Sequence, residues 1–286
     1  MKQLIINADD FGLDETVNIG IVKGHREGVI TSTTIMANGK AFDHAITLAS
    51  QHKTLGLGIH LTLVGEKPLC DGREVGSLVD NDGNLFPQYP QFLQHYLAGK
   101  VELSHIYKEL RAQVKKVMDF GIPVSHLDSH QHLHIMPGII ELVIEIAKEF
   151  GIKAIRIPQE PYFFLGSYPC SPVRFLSRAG LTFLAQLAAR KARKNALLAP
   201  DHFFGMLAGG NLQEEFLLAI LDKLPQGVSE IMMHPGTNNQ VLNDKYGWNY
   251  HGQEELAGIT SKVVKERCFN NNIKLISFRD LSLGGK

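Results

Sequence analysis

The chain has 286 residues, 44% hydrophobic and 20% charged, which is the composition of an ordinary soluble globular protein. Its 29 Lys and Arg residues balance 29 Asp and Glu residues, so the basic excess of a typical nucleic-acid-binding protein is missing. The three cysteines, Cys70, Cys170 and Cys268, are far apart and form no CxxC pair, which excludes a zinc knuckle and a disulfide framework.

The cysteine pattern favours a reducing compartment. The N-terminal apolar run is too short for a signal peptide, and the most apolar later stretch, 181–189, is too short to span a bilayer. We therefore predict a cytoplasmic protein with no membrane span and no nucleic-acid partner. Homodimers are common among soluble enzymes, but no sequence feature selects one here.

Short apolar runs alternate with segments of helical periodicity along the chain. Strands are predicted at 2–8, 31–36, 55–64, 124–127, 153–157, 228–234 and 273–278. Helices are predicted at 15–28, 42–51, 103–120, 138–150, 212–224 and 254–270, with a long loop at 65–90. This alternation predicts an α/β fold, a complete or slightly distorted (β/α) barrel. We expect a single domain, 1–286, with a cap or insertion at about 159–210.

Chemistry in such a barrel sits at the carboxyl ends of the strands. Asp9 and Asp10 follow the first predicted strand, and two adjacent carboxylates repel each other unless a cation separates them or one is protonated. A turn with an Asp helix cap is the structural alternative for this pair. His60 and His234 end two other strands, and Arg156 on a further strand could pair with a carboxylate. Structural roles, a core histidine for His60 and a surface ion pair for Arg156, stay open.

The segment 125–134 contains four histidines in ten residues, and imidazole is the commonest neutral metal ligand. In an extended chain its alternating positions would share one face; these positions are His126, Asp128, His130, His132 and His134. Not all can bind one ion, so some should be substrate contacts or should orient the ligands. An Asp with two His and open positions suits zinc or a harder ion such as magnesium, which would activate water.

Five motifs together resemble the YdjC/ChbG family of carbohydrate deacetylases, which includes the hopanoid-associated HpnK proteins. They are Asn7-Ala8-Asp9-Asp10-Phe11-Gly12, Thr31-Ser32-Thr33-Thr34, Gly58-Ile59-His60-Leu61, His126-Leu127-Asp128-Ser129-His130-Gln131-His132 and His234-Pro235-Gly236. The resemblance covers nearly the full chain. It implies a barrel related to polysaccharide deacetylases and hydrolysis of N-acetyl groups on sugars.

The resemblance also implies roles for single residues. Asp10, His60 and His130 match ligands of one divalent metal ion, Mg²⁺ or Zn²⁺. Asp9 matches a catalytic base, His234 a general acid, and Arg156 the arginine that steadies the base. We assign substrate contacts to His126, Asp128, His132, Trp248 and His251, although Trp248 and His251 could equally be ordinary loop residues. The aromatic central region looks closer to the hopanoid-associated members, which leaves the sugar open.

The sequence therefore predicts a metal-dependent hydrolase that releases acetate from a chitooligosaccharide-like or lipid-linked N-acetylglucosamine. Two alternatives remain. A phosphoesterase of barrel fold would need basic groups at the barrel mouth and often a second metal ion. A non-catalytic sugar-binding protein would keep the pocket without turnover.

Overall fold

The architecture is taken from a computed structural model, which describes residues 1–165, 168 and 171–282. The strands are β1 (Lys2–Phe11), β2 (Ser32–Ile35), β3 (Gly56–Leu61), β4 (Val124–Ser129), β5 (Ala154–Ile155), β6 (His202–Phe204), β7 (Gly227–Met233) and β8 (Ile273–Leu275). The helices are α1 (Glu15–Glu27), α2 (Phe42–Gln51), α3 (Tyr89–Leu97), α4 (Leu103–Met118), α5 (Ile139–Glu149), α6 (Pro172–Lys194), α7 (Glu214–Lys223), α8 (Asn239–Tyr246), α9 (Gly252–Thr260), α10 (Lys262–Asn270) and α11 (Phe278–Ser282).

The sheet is parallel throughout and follows the order β5-β4-β3-β2-β1-β7-β6. β8 pairs with the first residues of β1, on the side where β2 pairs with its later residues. Within the described residues no ladder joins β5 to β6, the two ends of this order. The predicted α/β fold, a barrel with distortion, is confirmed, and it is open at that seam.

β1 lies at the centre of the sheet, and eight of its ten residues are buried. Its apolar side chains on the two faces, such as Ile5 and Ile6, are fully buried, as expected for a parallel strand covered on both sides. Asp14 ends the turn that follows and caps α1, because its side chain accepts a hydrogen bond from the Thr16 amide. The strand and its turn therefore fix the position of Asp9 and Asp10.

Two predicted elements near the C-terminus were wrong in detail. The single helix predicted at 254–270 is two helices, α9 and α10, because Ser261 has an extended backbone and its side chain caps α10. The strand predicted at 273–278 ends at Leu275, and Phe278 starts α11. Extended φ/ψ angles at a single serine divide a hydrophobic pattern that is otherwise continuous.

The segment 159–210 contains the 23-residue helix α6 and the strand β6, which pairs with β7. The basic run ends α6, where Lys191 forms an ion pair with Glu141 of α5. Sequence patterns predicted neither element, since α6 has weak amphipathic character and β6 is only three residues long. The extent of a cap or insertion here stays a prediction.

No helix in the described part of the chain is both long enough and apolar enough to cross a bilayer.

Candidate metal centre and active site

Because all the strands run parallel, their carboxyl ends meet at one edge of the sheet. Side chains predicted from separate strands lie together there: Asp9 and Asp10 on β1, His60 on β3, Asp128 on β4, His130 just after β4, Arg156 just after β5 and His234 just after β7. The structure thus brings the residues singled out in the sequence together at one edge of the sheet.

The adjacent aspartates reach one site because the backbone turns between them. Asp10 has φ of 66°, in the left-handed region that Asp tolerates better than most residues. Both side chains are buried. Asp9 points toward Arg156, and Asp10 points toward His60 and His130. A regular strand would have sent the two carboxylates to opposite faces.

The carboxylate of Asp10 meets two imidazole rings. Its Oδ1 lies 3.3 Å from Nε2 of His60 and 3.1 Å from Nδ1 of His130. One ligand atom from each of the three residues lies within 4.8 Å of the others. An Asp and two His with room for further ligands form the donor set of many catalytic zinc and related divalent sites.

The hydrogen bonds around His60 show that this group is built for a positive charge. Nδ1 of His60 donates a hydrogen bond to Oδ1 of Asp128 at 2.8 Å, because an ionised carboxylate can only accept. In a neutral ring, Nε2 then directs a lone pair at Oδ1 of Asp10. Two lone pairs face each other there unless a proton or a metal ion lies between them, so the residues fit a divalent cation.

The charges around His60 and Asp10 also favour a cation between these two side chains. Burial opposes the charged ring of His60, but the carboxylates of Asp128 and Asp10 outweigh it and raise the pKa of His60 to about 10. Burial also opposes ionisation of Asp10, yet His130 and His60 hold the pKa of Asp10 well below its usual range. Without a metal ion, a proton on the His60 ring lies between the carboxylates of Asp128 and Asp10.

We expect metal binding to compete with that proton. Below a pKa of about 10 the metal-free ring is protonated, whereas a metal ligand must be neutral, so the apparent affinity should fall as pH falls. One displaced proton predicts an affinity change of about tenfold per pH unit between about pH 6 and pH 8. Calorimetric titration with Zn²⁺ in buffers of different ionisation enthalpy should show about one proton released per ion. An affinity that does not change with pH would contradict the assignment of His60.

Asp128 orients His60 and is itself held from two further sides. Thr34 donates a hydrogen bond from Oγ1 to Oδ2 of Asp128 at 3.1 Å, and Nη1 of Arg156 lies 2.7 Å from the same oxygen. Fully buried, this carboxylate fixes the tautomer and direction of the His60 ring, as carboxylates do behind metal-ligating histidines in known metal sites. The expected substrate contact for Asp128 is therefore not the role that its surroundings favour.

The substitution Asp128→Asn should weaken metal binding about 10- to 100-fold, which is the usual effect of losing such an outer partner. The amide keeps the shape of the side chain but removes the charge that stabilises the His60 hydrogen bond. Competition with a fluorescent chelator would give the metal affinity, with Asp82→Asn at an exposed position as the matched control. Unchanged affinity in a folded Asp128→Asn protein would show that this pair does not support the ligand.

Arg156 binds three buried carboxylates. Its Nη1 and Nη2 donate to the two oxygens of Asp9 at 2.6 and 2.7 Å, a bidentate geometry that only arginine provides. Its Nε donates to Oε1 of Glu230 at 2.7 Å, and Nη1 also contacts Asp128. The orientation of Asp9 is thus fixed by a guanidinium group that is itself fully buried.

Sequence reasoning missed Glu230 as a member of this cluster. One guanidinium cannot neutralise three carboxylates, and burial raises the pKa of Glu230 to about 7, with Arg156 opposing the shift. Glu230 therefore carries a proton part of the time near neutral pH. The sequence feature that could have identified Glu230 is its position as a single acid beside the apolar run 231–233. An acidic side chain in a buried strand needs a cationic partner.

The histidine-rich segment does not stay extended, so the expectation of one shared face was wrong. β4 ends at Ser129, and the chain then forms a tight 3₁₀-like turn, His130–Ile135, with positive φ at Gln131 and His132. His134 is bonded to Ser129 and to the backbone oxygen of Arg156. The turn carries His130 toward Asp10 and directs the other rings elsewhere.

The geometry does not support a substrate contact at His126 or His132. His126 is fully buried and stacks on Phe278 with ring centroids 3.6 Å apart. His132 lies against Phe203 and His134. Burial holds the pKa of both imidazoles below the usual range of histidine, so both rings are neutral at physiological pH. Their surroundings are those of packed core side chains.

The remaining predicted residues lie at the mouth of the barrel. Trp248 is 5.2 Å from the His130 ring and 5.4 Å from the Tyr250 ring, centroid to centroid. His234 is 5.0 Å from Tyr250, and its amide donates to Glu255. His251 precedes α9, and its amide donates to the oxygen of Gly210. The Tyr250 ring therefore contacts both Trp248 and His234.

Two cavities open from this group. One of about 10 Å³, the lower limit for one water molecule, is lined by Asp9, Asp10, His234, Trp248, Tyr250 and three apolar side chains. The other is about 200 Å³ and borders His130, Trp248, Tyr246 and Glu66. Sequence reasoning missed Glu66 and Tyr246, because a loop residue acquires a place in a cavity only through tertiary structure.

Known proteins resemble the chain over its whole length. A family model described as YdjC-like protein matches residues 3–269. A carbohydrate deacetylase from Clostridium beijerinckii is 31% identical over 280 residues, covering 98% of this chain and 100% of that protein. A chitooligosaccharide deacetylase from Yersinia pestis is 33% identical over 283 residues, covering 98% and 99%. A solved structure from Enterococcus faecalis, provisionally named a cellobiose-phosphate cleavage protein, is 28% identical with a TM-score of 0.77, covering 98% of both chains.

Proposed function

The chain belongs to the YdjC-like protein family, and from this premise we propose that it is a metal-dependent hydrolase that removes acetyl groups from an N-acetylated sugar. The relatives named carbohydrate deacetylase and chitooligosaccharide deacetylase support the reaction. The observation that carries the proposal is the three-residue group Asp10, His60 and His130, with the second carboxylate, Asp9, held beside it by Arg156.

The proposed ligands of one divalent ion, Zn²⁺ or Mg²⁺, are Asp10, His60 and His130. When bound, such an ion polarises a carbonyl oxygen and lowers the pKa of a water molecule. Two imidazole nitrogens and a carboxylate favour zinc over magnesium, which prefers an all-oxygen shell. The chain contributes the fixed direction of these donors, through Asp128 behind His60 and the turn that positions His130.

Asp9 is the proposed general base. Both of its oxygens accept hydrogen bonds from Arg156, and Asn7 donates to Oδ1 at 2.9 Å. A carboxylate has about four lone-pair sites, so Asp9 can still take a proton from a water in the adjoining cavity. Because Arg156 fixes the carboxylate plane, no rotation of Asp9 is needed at the moment of proton transfer.

His234 is the proposed general acid. Its amide is anchored to Glu255, and its ring borders the same small cavity as Asp9 and Asp10. Attack of water on the acetyl carbon requires that the carbon–nitrogen bond break and that the leaving nitrogen gain a proton. His234 supplies that proton, and the products are acetate and a free amino sugar.

Neither alternative gains support from the charges at this mouth. A phosphate would need basic groups that are free to face it, but Arg156 is engaged by three carboxylates. Lys245, at the rim of the larger cavity, pairs with Asp14 at 2.5 Å. A sugar-binding protein without turnover would not need a second buried carboxylate beside the proposed metal ligands.

The test is acetate release from N,N′-diacetylchitobiose and N-acetylglucosamine. Metal-stripped protein would be assayed with Zn²⁺, Mg²⁺, Mn²⁺ or Co²⁺ restored, and p-nitrophenyl phosphate would serve as the phosphoesterase control. Metal-dependent acetate supports the proposal. Phosphate release without acetate would replace it by the phosphoesterase alternative, and sugar binding without acetate from these or larger N-acetyl glycosides would replace it by the binding-protein alternative.

A further inference from the structure

The larger cavity beside His130 contains a carboxylate that the proposed reaction does not use. The cavity measures about 200 Å³, and its lining includes Glu66, Gln88, His130, Lys245, Tyr246 and Trp248. Glu66 is only 7% exposed. Since His130 belongs to the proposed metal group, a molecule in this cavity lies directly next to the reacting centre.

The backbone holds Glu66 in place. The amide of Gly65 donates to Phe86 at 2.8 Å, and the amide of Leu85 donates to the oxygen of Glu66 at 3.1 Å. Val79 and Leu85 form an antiparallel bridge in the same loop. These bonds tie the two arms of the loop together, so Glu66 is fixed at the wall of the cavity.

The carboxylate of Glu66 has no hydrogen bond or ion pair with any side chain or amide among residues 1–165, 168 and 171–282. Lys245 is engaged by Asp14, and Lys40 acts on Glu66 only at longer range. The carboxylate oxygens are not among the fully buried side-chain atoms that lack a partner, so they reach the open space of the cavity. The oxygens of Glu66 are therefore acceptors available to a molecule in the cavity.

Aromatic rings form another part of the wall. Tyr246 and Trp248 are stacked with ring centroids 4.8 Å apart and an interplanar angle of 29°. Aromatic faces pack against carbon–hydrogen groups, and the Glu66 carboxylate supplies acceptors in the same cavity. A pyranose ring fits this combination, because its carbon–hydrogen bonds form apolar faces while its hydroxyl groups need acceptors at the edge.

We propose that Glu66 accepts hydrogen bonds from ring hydroxyl groups of the sugar, and that Glu66, Tyr246 and Trp248 form a pyranose subsite beside the metal group. This inference rests on the proposed function for its choice of sugar. It makes Glu66 a determinant of substrate specificity without a part in proton transfer.

The single tryptophan of the chain is Trp248, so intrinsic fluorescence reports binding in this cavity directly. Metal-free protein would be titrated with N-acetylglucosamine and N,N′-diacetylchitobiose. Because a hydrogen bond to a charged group is strong, we expect Glu66→Ala to weaken sugar binding about 10- to 100-fold. Glu66→Gln should lose less, since its amide oxygen still accepts, and the exposed Glu145→Ala should bind as the wild type does.

Deoxy sugars separate a direct contact from a structural effect. Wild-type protein should bind at least one of the 3-, 4- and 6-deoxy analogues of N-acetylglucosamine about tenfold more weakly than the parent sugar. Glu66→Ala should lose that discrimination. Binding that is insensitive to Glu66, or discrimination that survives its removal, overturns the subsite even where acetate is released. If sugar binding depends on Glu66 but no acetate is released, the subsite is supported and the proposed reaction is contradicted.

Discussion

Asp10→Asn protein should lose its bound metal ion and fall to background acetate release. The carboxylate of Asp10 is the one negative ligand of the proposed group, and its Oδ1 faces both imidazole rings. Asparagine suits this position better than alanine, because it tolerates the left-handed backbone of residue 10 at φ 66°. We expect metal affinity to fall by at least about 100-fold, beyond the loss for an outer partner, measured by metal analysis after dialysis.

The fold of the Asp10→Asn protein must be shown to be intact. Circular dichroism and the thermal midpoint of metal-free wild type provide that comparison, because both proteins then lack the ion. Full metal content together with normal turnover in a folded Asp10→Asn protein would mean that the ion is held elsewhere.

Asp9→Asn protein, by contrast, should keep its metal and lose turnover. A positioned general base contributes about 10²- to 10⁴-fold to a rate, and we expect kcat to fall by that factor with little change in KM. Asparagine has nearly the shape of aspartate and can still accept a hydrogen bond from Arg156. Arg156 also keeps its contacts with Asp128 and Glu230. Steady-state acetate release at saturating metal gives the measurement.

The two neighbouring substitutions control each other. They remove the same charge one residue apart, and only their directions in space differ. Loss of metal from both variants would show that the aspartates act together as ligands. Full activity of Asp9→Asn with metal bound would exclude Asp9 as the base and leave the proton to another group.

Removing Arg156 would be a poor test of catalysis. Its guanidinium group holds Asp9, Asp128 and Glu230 in a fully buried position. Breaking a buried ion pair by removing one partner costs about 3–5 kcal/mol, and here three carboxylates would be left facing each other. A rate measured on such a protein would report stability as much as mechanism, whereas Asp9→Asn leaves Arg156 paired with Asp128 and Glu230.

The fold and the family could be read from the sequence. Apolar runs alternate with amphipathic segments, and such a pattern can bury its apolar surface only as a parallel sheet covered by helices. The family resemblance rested on short motifs that include Asp9-Asp10 and His130, and it is confirmed by relatives that match the full length of the chain. These short motifs were sufficient to identify the family, because each consists of residues that are adjacent in the sequence.

Elements with weak local signals were not predictable. The helix α6 has an irregular apolar pattern, and β6 is too short for a periodicity to be seen. The division between α9 and α10 depends on the backbone of Ser261. In each case the structure depends on packing against the sheet or on the backbone angles of a single residue. The pattern of apolar residues in the sequence predicts neither.

The sequence by itself determined the residue types at the ends of the strands, and the family resemblance of its motifs implied the metal group of Asp10, His60 and His130. Only the tertiary structure decided how the other charged groups are used. The left-handed turn at Asp10 separates two adjacent carboxylates, and Arg156 gathers acids from three strands. Which charged groups are buried, and which of them pair, depends on how close strands that are far apart in the sequence lie in the fold. A sequence pattern can therefore identify the charged residues but cannot assign their partners.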